Sequence, residues 1–378
     1  MYEIQWGDLS AEQFLNDYWQ KKPLLIRQAF PNLDPLLEPD ELAGLALEEE
    51  VESRLIRYNP LKSDYALQRG PLSEADFAQL PESHWTLLVQ AVDHYVDEAA
   101  ELLDCFNFIP RWRIDDLMIS YATPGGGVGP HYDNYDVFLL QAGGTRRWEI
   151  GGIESSKSPR VEELPLMILR DFMATEVFEL EPGDMLYLPP QVAHNGVATS
   201  ADCLTYSIGF RAPSDAEMLR SFSDYIGESL SGEQRYSDPD LLIPGASGEL
   251  DEASLQRVSD RLQRLLNQPE TLASWFGQHV SEPKYPDDIY QPDVEEVEDW
   301  ALEFDSALGV SLLPSARLFY MEKNGQLQLF CNATPVETQD GNPEWIKKLC
   351  NSRSSGPISA SPADISLLKK LYALGAIE

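Results

Sequence analysis

The run PGGGVGPHYD, residues 124–133, governs the fold assignment. It is rich in turn-forming residues and ends on two metal-ligating residue types, His131 and Asp133, that are two positions apart. Side chains two apart on a strand share a face, with Cα atoms roughly 7 Å apart, which one metal ion can bridge. We therefore expect His131 and Asp133 to project from one strand face toward one metal ion.

The third predicted ligand, His194, follows GDMLYLPP, residues 183–190. A lone His-x-Asp is a weak signal, and a satisfied core histidine is its ordinary alternative. A His-x-Asp followed by a Gly-Asp turn, an apolar strand, a proline pair and a histidine is far more specific, and it is typical of the double-stranded β-helix, or cupin, barrel. Two imidazoles and one carboxylate occupy one face of an octahedral metal and leave the other face open, as Fe(II) oxygenases require.

The rest of the first half predicts an α+β unit. Residues 112–211 alternate short apolar strands with Gly- and Pro-rich turns, which favours a β-barrel or sandwich. Residues 83–106 carry apolar side chains at helical spacing and predict one long amphipathic helix. A further helix is predicted to start at Pro39.

The second half predicts helices and then a small wing. Helices are predicted from Ser214, at 250–266 and at 270–279, with a polar loop at 231–247 and an acidic linker at 281–298. Two strands flank Asn324-Gly325, a strong hairpin signal, and helices are predicted at 343–349 and 362–374. This pattern resembles a winged helix. From Tyr285 onward 15 acidic residues oppose 7 basic ones, so no nucleic-acid binding is expected.

The composition indicates which classes of partner the protein would attract or repel. The 378 residues carry a net charge of −35, with 63 acidic and 28 basic residues, which repels nucleic acid and anionic membranes and attracts a basic protein. The alternative is that the acidity only maintains solubility. The four cysteines show no zinc spacing, and neither a signal peptide nor a membrane helix is indicated, so a cytoplasmic protein is expected.

Arg146 is the predicted anchor for an acidic co-substrate. It lies on the same predicted strand face as Trp148, whereas Arg147 faces the other way as a solvated charge. A guanidinium binds a carboxylate through two parallel hydrogen bonds, which suits the distal carboxylate of 2-oxoglutarate.

Several motifs together resemble the bacterial ribosomal oxygenases, which are JmjC-type 2-oxoglutarate dioxygenases. The motifs are Trp19 with KKP at 21–23, RIDDLMIS at 113–120, PGGGVGPH at 124–131, Asp133 with YDVF at 135–138, RRW at 146–148 and YSIGFR at 206–211. The resemblance implies Fe(II), 2-oxoglutarate and O2 as reactants, with release of succinate and CO2. It also implies hydroxylation of an arginine of large ribosomal subunit protein sixteen by a homodimer.

The resemblance also implies three domains: a JmjC catalytic domain at 1–211, a helical dimerisation domain at 212–282 and a winged-helix-like domain at 283–378. His131, Asp133 and His194 would then be the metal ligands and catalytic centre. The family often has glycine after the proline pair, where this chain has Gln191. This departure changes the turn before His194 without removing the ligand.

The resemblance and strand alternation together suggest the substrate contacts. Ser120 is implied to add a hydroxyl to the 2-oxoglutarate site, and alternation places Asp116 and Met118 on the same face. Asp116 would pair with a substrate guanidinium, although a strand-end surface acid is an equal alternative. Ser207 and Tyr135 are the remaining candidates.

Two other functions use the same motifs. A JmjC-type demethylase acting on methylated lysine would share the iron chemistry, but no methyl-ammonium pocket is identifiable. A non-catalytic metal-binding cupin scaffold would need no carboxylate clamp such as Arg146, which argues against it.

Overall fold

The computed structural model describes residues 2–378 except 163, 165, 244, 324 and 339–342. It contains two compact units, Met1–Ala212 and Pro213–Glu378. The predicted division into three domains, with boundaries after residues 211 and 282, stays a prediction.

The first unit is mainly β-structure, with short α-helices before and between its first five strands. Its strands are β1 (Leu24–Ile26), β2 (Ser53–Asn59), β3 (Asp64–Arg69), β4 (Trp85–Val89), β5 (Ile114–Ala122), β6 (Val137–Gly143), β7 (Arg146–Ile153), β8 (Glu176–Leu180), β9 (Met185–Leu188), β10 (Val192–Ala198) and β11 (Cys203–Phe210). Its helices are α1 (Ala11–Asp17), α2 (Pro39–Leu45), α3 (Glu74–Ala78) and α4 (Asp97–Leu103), with 3₁₀ turns at Val92–His94, Asp104–Phe106 and Arg111–Arg113.

The strands form one large and one small antiparallel sheet. In the described residues the large sheet has the order β1-β9-β6-β11-β5-β4-β2-β3, and the small sheet has the order β10-β7-β8. An apolar cluster with members from both sheets includes Leu139, Trp148, Leu180 and Leu186. The interior face of the large sheet therefore packs toward the small sheet, and the predicted barrel is confirmed.

Strand alternation separates this interior from a second core. Phe138 and Leu140 of β6 join the cluster formed with the N-terminal helices, whereas Val137 and Leu139 join the interior cluster. On β5, Leu117 and Ile119 face the helical side. Because side chains alternate, the residues between them face the barrel interior.

The predicted helix over residues 83–106 is wrong. Trp85–Val89 is strand β4, which pairs with β2 and β5, and only Asp97–Leu103 is α-helical. The strand is buried at four successive positions, Thr86 to Val89. A strand covered on both faces reads as a continuous apolar run, which periodicity alone does not distinguish from a helix segment.

The second unit contains α5 (Asp215–Ser229), α6 (Glu252–Leu266), α7 (Pro269–Val280), a 3₁₀ turn at Pro286–Asp288, α8 (Val294–Glu303), β12 (Leu318–Lys323), β13 (Gln326–Cys331), β14 (Thr334–Glu337), α9 (Pro343–Ser352) and α10 (Pro362–Ala373). The three strands form one antiparallel sheet in chain order. This confirms the predicted hairpin strands, while Asn324 of the predicted turn lies outside the described residues.

The predicted linker at 281–298 is wrong in its second half. Helix α8 begins there, because Asp293 caps it by accepting a hydrogen bond from the Glu296 amide at 3.0 Å. Acidic residues in a first helical turn favour the positive end of the helix dipole, so a run of acids was compatible with a helix start. Among the described helices, none has the length and apolar character needed to cross a bilayer.

Candidate metal centre and cofactor pocket

Two backbone segments hold the predicted ligands together. The His131 amide donates to the His194 carbonyl at 3.0 Å, and the His194 amide donates back to the His131 carbonyl at 2.8 Å. The Gln191 amide donates to the Asp133 carbonyl at 2.6 Å. The prediction that His131 and Asp133 share a strand is wrong, because His131 forms only an isolated bridge and Asp133 lies in the loop that follows.

The three side chains nevertheless converge. The His194 Nε2 lies 3.6 Å from an Asp133 carboxylate oxygen, and the His131 Nε2 lies 3.9 Å from the same oxygen. One ligand atom from each residue lies within 4.8 Å of the others, and no other such cluster was found in the described part of the chain. Three donors at this separation surround a point that one metal ion can occupy.

Hydrogen bonds to the far ring nitrogens set the tautomers. The His131 Nδ1 lies 2.9 Å from the Gly129 carbonyl, and the His194 Nδ1 lies 2.9 Å from the Val192 carbonyl. A carbonyl only accepts, so each Nδ1 carries the proton and each Nε2 lone pair faces the common centre. Burial, followed by the nearby His131, lowers the pKa of His194 to about 4, which keeps this imidazole neutral near pH 7.

Glycines allow the close approach that delivers His131. A Cβ at Gly127 would lie 2.4 Å from the Gly196 carbonyl oxygen of β10, and one at Gly126 would lie 2.2 Å from the Trp85 carbonyl oxygen. Any side chain there would push the loop away from the neighbouring strands. The glycine run therefore allows close backbone packing beside the site.

Arg146 is a buried cation that pairs with no carboxylate among the described residues. The residue is 3% exposed, and its Nη2 has no hydrogen-bond partner within the described residues. Its guanidinium lies 5.7 Å from the Trp148 ring centroid, and that ring lies 5.8 Å from the His194 ring centroid. Arg147 is exposed and pairs with Glu149, as the alternation predicted. A buried guanidinium with an unused donor at Nη2 fits an anionic ligand.

Two of the predicted substrate residues, Asp116 and Met118, lie on β5, and a third, Ser207, lies on the neighbouring strand β11. Met118 of β5 lies directly opposite Ser207 of β11, and Ser120 lies opposite Thr205. Since Leu117 and Ile119 point to the other core, Asp116, Met118 and Ser120 share the interior face. The Ser120 hydroxyl donates to the Thr205 carbonyl at 3.4 Å, which is long for an O–H donor.

Asp116 is not the surface acid of the alternative prediction. It is 3% exposed, and its Oδ2 accepts from the Gln90 side-chain amide at 2.6 Å and from the Ala91 amide at 2.9 Å. The Arg54 guanidinium in turn donates to Gln90 at 3.0 Å. Sequence analysis missed Gln90, because no local pattern shows which side chain from another strand reaches a buried carboxylate.

Tyr135 belongs to the same charged environment. Although 43% of its surface is exposed, burial of the phenol group, followed by the negative charges of Asp133 and Asp116, raises the pKa of Tyr135. Its hydroxyl therefore stays protonated near pH 7 and is a hydrogen-bond donor close to both carboxylates.

The comparisons with known proteins agree with this architecture. A JmjC-domain family model matches residues 101–218, and a ROXA-like winged-helix model matches residues 264–378. The ribosomal protein uL16 3-hydroxylase of Escherichia coli (strain K12) is 40% identical over 299 residues, which are 77% of this chain and 76% of that protein. A probable ribosomal oxygenase of Haemophilus influenzae is 34% identical over 90% of this chain and 83% of its own length.

A solved structure is similar along the entire chain. The E. coli ribosomal oxygenase YcfD in complex with cobalt and 2-oxoglutarate superimposes with a TM-score of 0.85 and 32% identity, covering 100% of this chain and 99% of that one. The fold and the matching models define a JmjC-type barrel protein with a C-terminal winged helix. The chain belongs to the ribosomal oxygenase family, as its motifs suggested.

Proposed function

We propose that this protein is an Fe(II)- and 2-oxoglutarate-dependent dioxygenase that hydroxylates an arginine side chain of the large-subunit ribosomal protein uL16. The observation that carries the proposal is the convergence of His131, Asp133 and His194 within 4.8 Å, together with the buried Arg146, whose Nη2 has no hydrogen-bond partner among the described residues. A ferrous ion would bind the three converging ligands, and a dicarboxylate would accept a hydrogen bond from the Arg146 Nη2.

The metal would be held by the Nε2 atoms of His131 and His194 and by the Asp133 carboxylate. Neutral imidazoles with Nδ1–H bonded to backbone carbonyls are the form that ligates metal. When bound, iron would activate O2 as the oxidant, with 2-oxoglutarate as the two-electron reductant that leaves as succinate and CO2. The protein's residues supply orientation and a site from which water is excluded.

The co-substrate would bind through its distal carboxylate to Arg146 and Ser120. The Arg146 Nη2 has an unused donor inside the barrel, and the long Ser120 hydrogen bond to a backbone carbonyl is readily replaced by one to a carboxylate. Trp148 lies between Arg146 and His194 along the interior face and is 5% exposed, so it covers this side of the pocket.

The substrate would enter on the side of Asp116, Met118, Ser207 and Tyr135. A guanidinium needs a fixed anion and hydrogen-bond acceptors, and Asp116 is held in place by Gln90 and the Ala91 amide. The E. coli relative is named as a hydroxylase of ribosomal protein uL16, and we propose the same substrate for this chain. The net charge of −35 favours encounter with a basic ribosomal protein.

We also propose a cytoplasmic homodimer that does not bind nucleic acid. Helix α6 has no buried residue, and one of its faces carries Leu255, Val258, Leu262 and Leu266, each at least 40% exposed. An exposed apolar helix face of this length indicates a protein partner, and a second copy of the chain is the simplest one. The excess of acids after Tyr285 argues against nucleic acid.

The test measures succinate release from 2-oxoglutarate with a uL16 fragment and with the same fragment in which every arginine is lysine. Stimulation by the arginine fragment alone, lost in Asp133→Ala, is the expected result. Absence of stimulation by either fragment would contradict a hydroxylase and favour the scaffold alternative. Loss of methyl groups from a methyl-lysine fragment would favour the demethylase.

A further inference from the structure

A row of buried polar side chains, Cys203, Gln141 and Thr205, extends from the Arg146 guanidinium. The Arg146 Nε donates to the Cys203 thiol at 3.4 Å, and the Gln141 side-chain amide donates to the same sulfur at 3.4 Å. We propose that Cys203 is a positioning residue that orients the Arg146 guanidinium toward the distal carboxylate of a 2-oxo dicarboxylate. This inference rests on the proposed function and goes beyond it, since it names what sets co-substrate affinity.

Two further hydrogen bonds hold the Gln141 side chain of this row in place. The Gln141 Nε2 also donates to the Gly143 carbonyl at 2.6 Å, and the Thr205 hydroxyl donates to the Gln141 Oε1 at 3.0 Å. Gln141 and Cys203 are 0% exposed, and Thr205 is 1% exposed. In such a closed environment the sulfur has little freedom, so the direction of the Arg146 Nε–H bond is fixed.

Fixing Nε fixes the rest of the guanidinium, because the group is planar and its five N–H bonds have set directions. Arg146 is 3% exposed, and with Nε on Cys203 its Nη2 is left without a partner among the described residues. The unused donor is therefore a consequence of how the thiol holds the other side of the group.

A thiol is suited to this task because it orients the Arg146 guanidinium without neutralising its positive charge. Within the part of the chain that the structure describes, no carboxylate lies within 4.0 Å of Arg146, and the sulfur is a weak, neutral acceptor. A carboxylate in place of Cys203 would satisfy the cation internally and compete with the ligand. The thiol leaves the positive charge to be balanced by the co-substrate.

The inference predicts a selective loss of affinity in Cys203→Ala. Removing one hydrogen bond to the guanidinium should weaken 2-oxoglutarate binding about 3- to 10-fold. Binding of 2-oxopentanoate, which has the same chain length and keto-acid end but no distal carboxylate, should not change. A general loosening of the barrel would weaken both ligands alike.

The experiment titrates the Mn(II)-loaded full-length protein anaerobically with each 2-oxo acid by calorimetry, together with Mn(II) affinity and melting temperature. Cys203→Ser should bind 2-oxoglutarate within about twofold of the unaltered protein, because a hydroxyl also accepts from Nε. Cys105→Ala, in the same unit and outside the barrel interior, is the matched control. Should the alanine variant unfold, Cys203→Val makes the same comparison with the volume filled.

A double-mutant cycle separates the inference from the proposed function. In an Arg146→Met background, adding Cys203→Ala should leave 2-oxoglutarate affinity unchanged, because the thiol acts through the guanidinium. Equal 2-oxoglutarate affinity in the unaltered protein and Cys203→Ala, or an equal loss for both 2-oxo acids, overturns the inference. Failure of the unaltered protein to bind 2-oxoglutarate would instead overturn the proposed function.

Discussion

Gln191 occupies a backbone position that suits glycine. Its φ is +67°, in the left-handed region, where its amide and carbonyl bond to the Asp133 carbonyl and the Glu154 amide. Glutamine therefore adopts here a left-handed backbone conformation that glycine adopts without strain. Because the side chain is exposed, backbone strain is its main cost.

Gln191→Gly should stabilise the protein. Relief of the left-handed strain, partly offset by glycine's greater backbone entropy when unfolded, should add about 0.5–1 kcal/mol to the free energy of unfolding. Urea denaturation of the metal-free protein measures this free energy of unfolding. Gln191→Ala is the control, and it should change the free energy of unfolding little. A less stable glycine variant would contradict this assignment of strain.

Asp116→Asn should weaken substrate binding and spare co-substrate binding. The asparagine oxygen still accepts from Gln90 and the Ala91 amide, but the negative charge for a guanidinium is lost. The KM for a uL16 fragment should rise about tenfold or more, as expected for a charge-assisted hydrogen bond. Steady-state kinetics with separate 2-oxoglutarate titrations checks this.

The neighbouring Asp115→Asn is the matched control. Asp115 pairs with Arg211 at 2.9 Å and lies on the other strand face, so its change should leave the KM for the fragment near normal. Equal effects of the two substitutions would remove Asp116 from the substrate site.

The sequence predicted which residues converge on the site better than it predicted the contacts between their side chains. His131, Asp133 and His194 could be named because their order along the chain is specific, and Arg146 because strand alternation assigns its face. Cys203 could not be linked to Arg146, which is 57 positions away, since periodicity states which face a residue occupies and not which side chain meets it there.

Strands β7 and β10 hold the centre through a glycine. A Cβ at Gly196 of β10 would lie 2.6 Å from the Trp148 ring of β7, and that ring lies beside His194. The pairing of β7 and β10 at this point requires a residue without a side chain at position 196, because the Trp148 indole occupies the space that a Cβ would take.

Gly196→Ala should displace Trp148 and loosen the metal centre. Overpacking at this site should destabilise the protein by about 1–3 kcal/mol and lower Mn(II) affinity. Gly152→Ala is the matched control, because a Cβ at Gly152 on β7 meets nothing within 4 Å. Thermal unfolding and metal titration are the measurements. Unchanged Mn(II) affinity in Gly196→Ala would contradict the role of this packing.

At the element scale, sequence patterns failed where tertiary contacts decide. Strand β4 was taken for part of a helix because both its faces are covered. Strand β10 was not predicted at all, although it carries His194. It follows a proline pair and is set by its pairing with β7, which no local signal encodes.

In the part of a single chain that the structure describes, the apolar face of α6 is exposed. If a second copy covers it, charges on that face should prevent assembly. The double variant Leu255→Glu, Leu262→Glu should convert a dimer to a monomer in light scattering, because burying two carboxylates against apolar surface is costly. Gln263→Glu, exposed on the same helix, should remain dimeric. A monomeric unaltered protein would contradict the proposal.

Hydroxylation of uL16 is tested by mass spectrometry of this protein from cells with the enzyme, from cells without it, and from cells without it that carry either the intact gene or its Asp133→Ala form. We expect one additional oxygen atom on a single arginine of uL16 wherever the intact enzyme is present. That oxygen should be absent from the other two samples. An unmodified uL16 in all samples, or an oxygen that persists with Asp133→Ala, would contradict it.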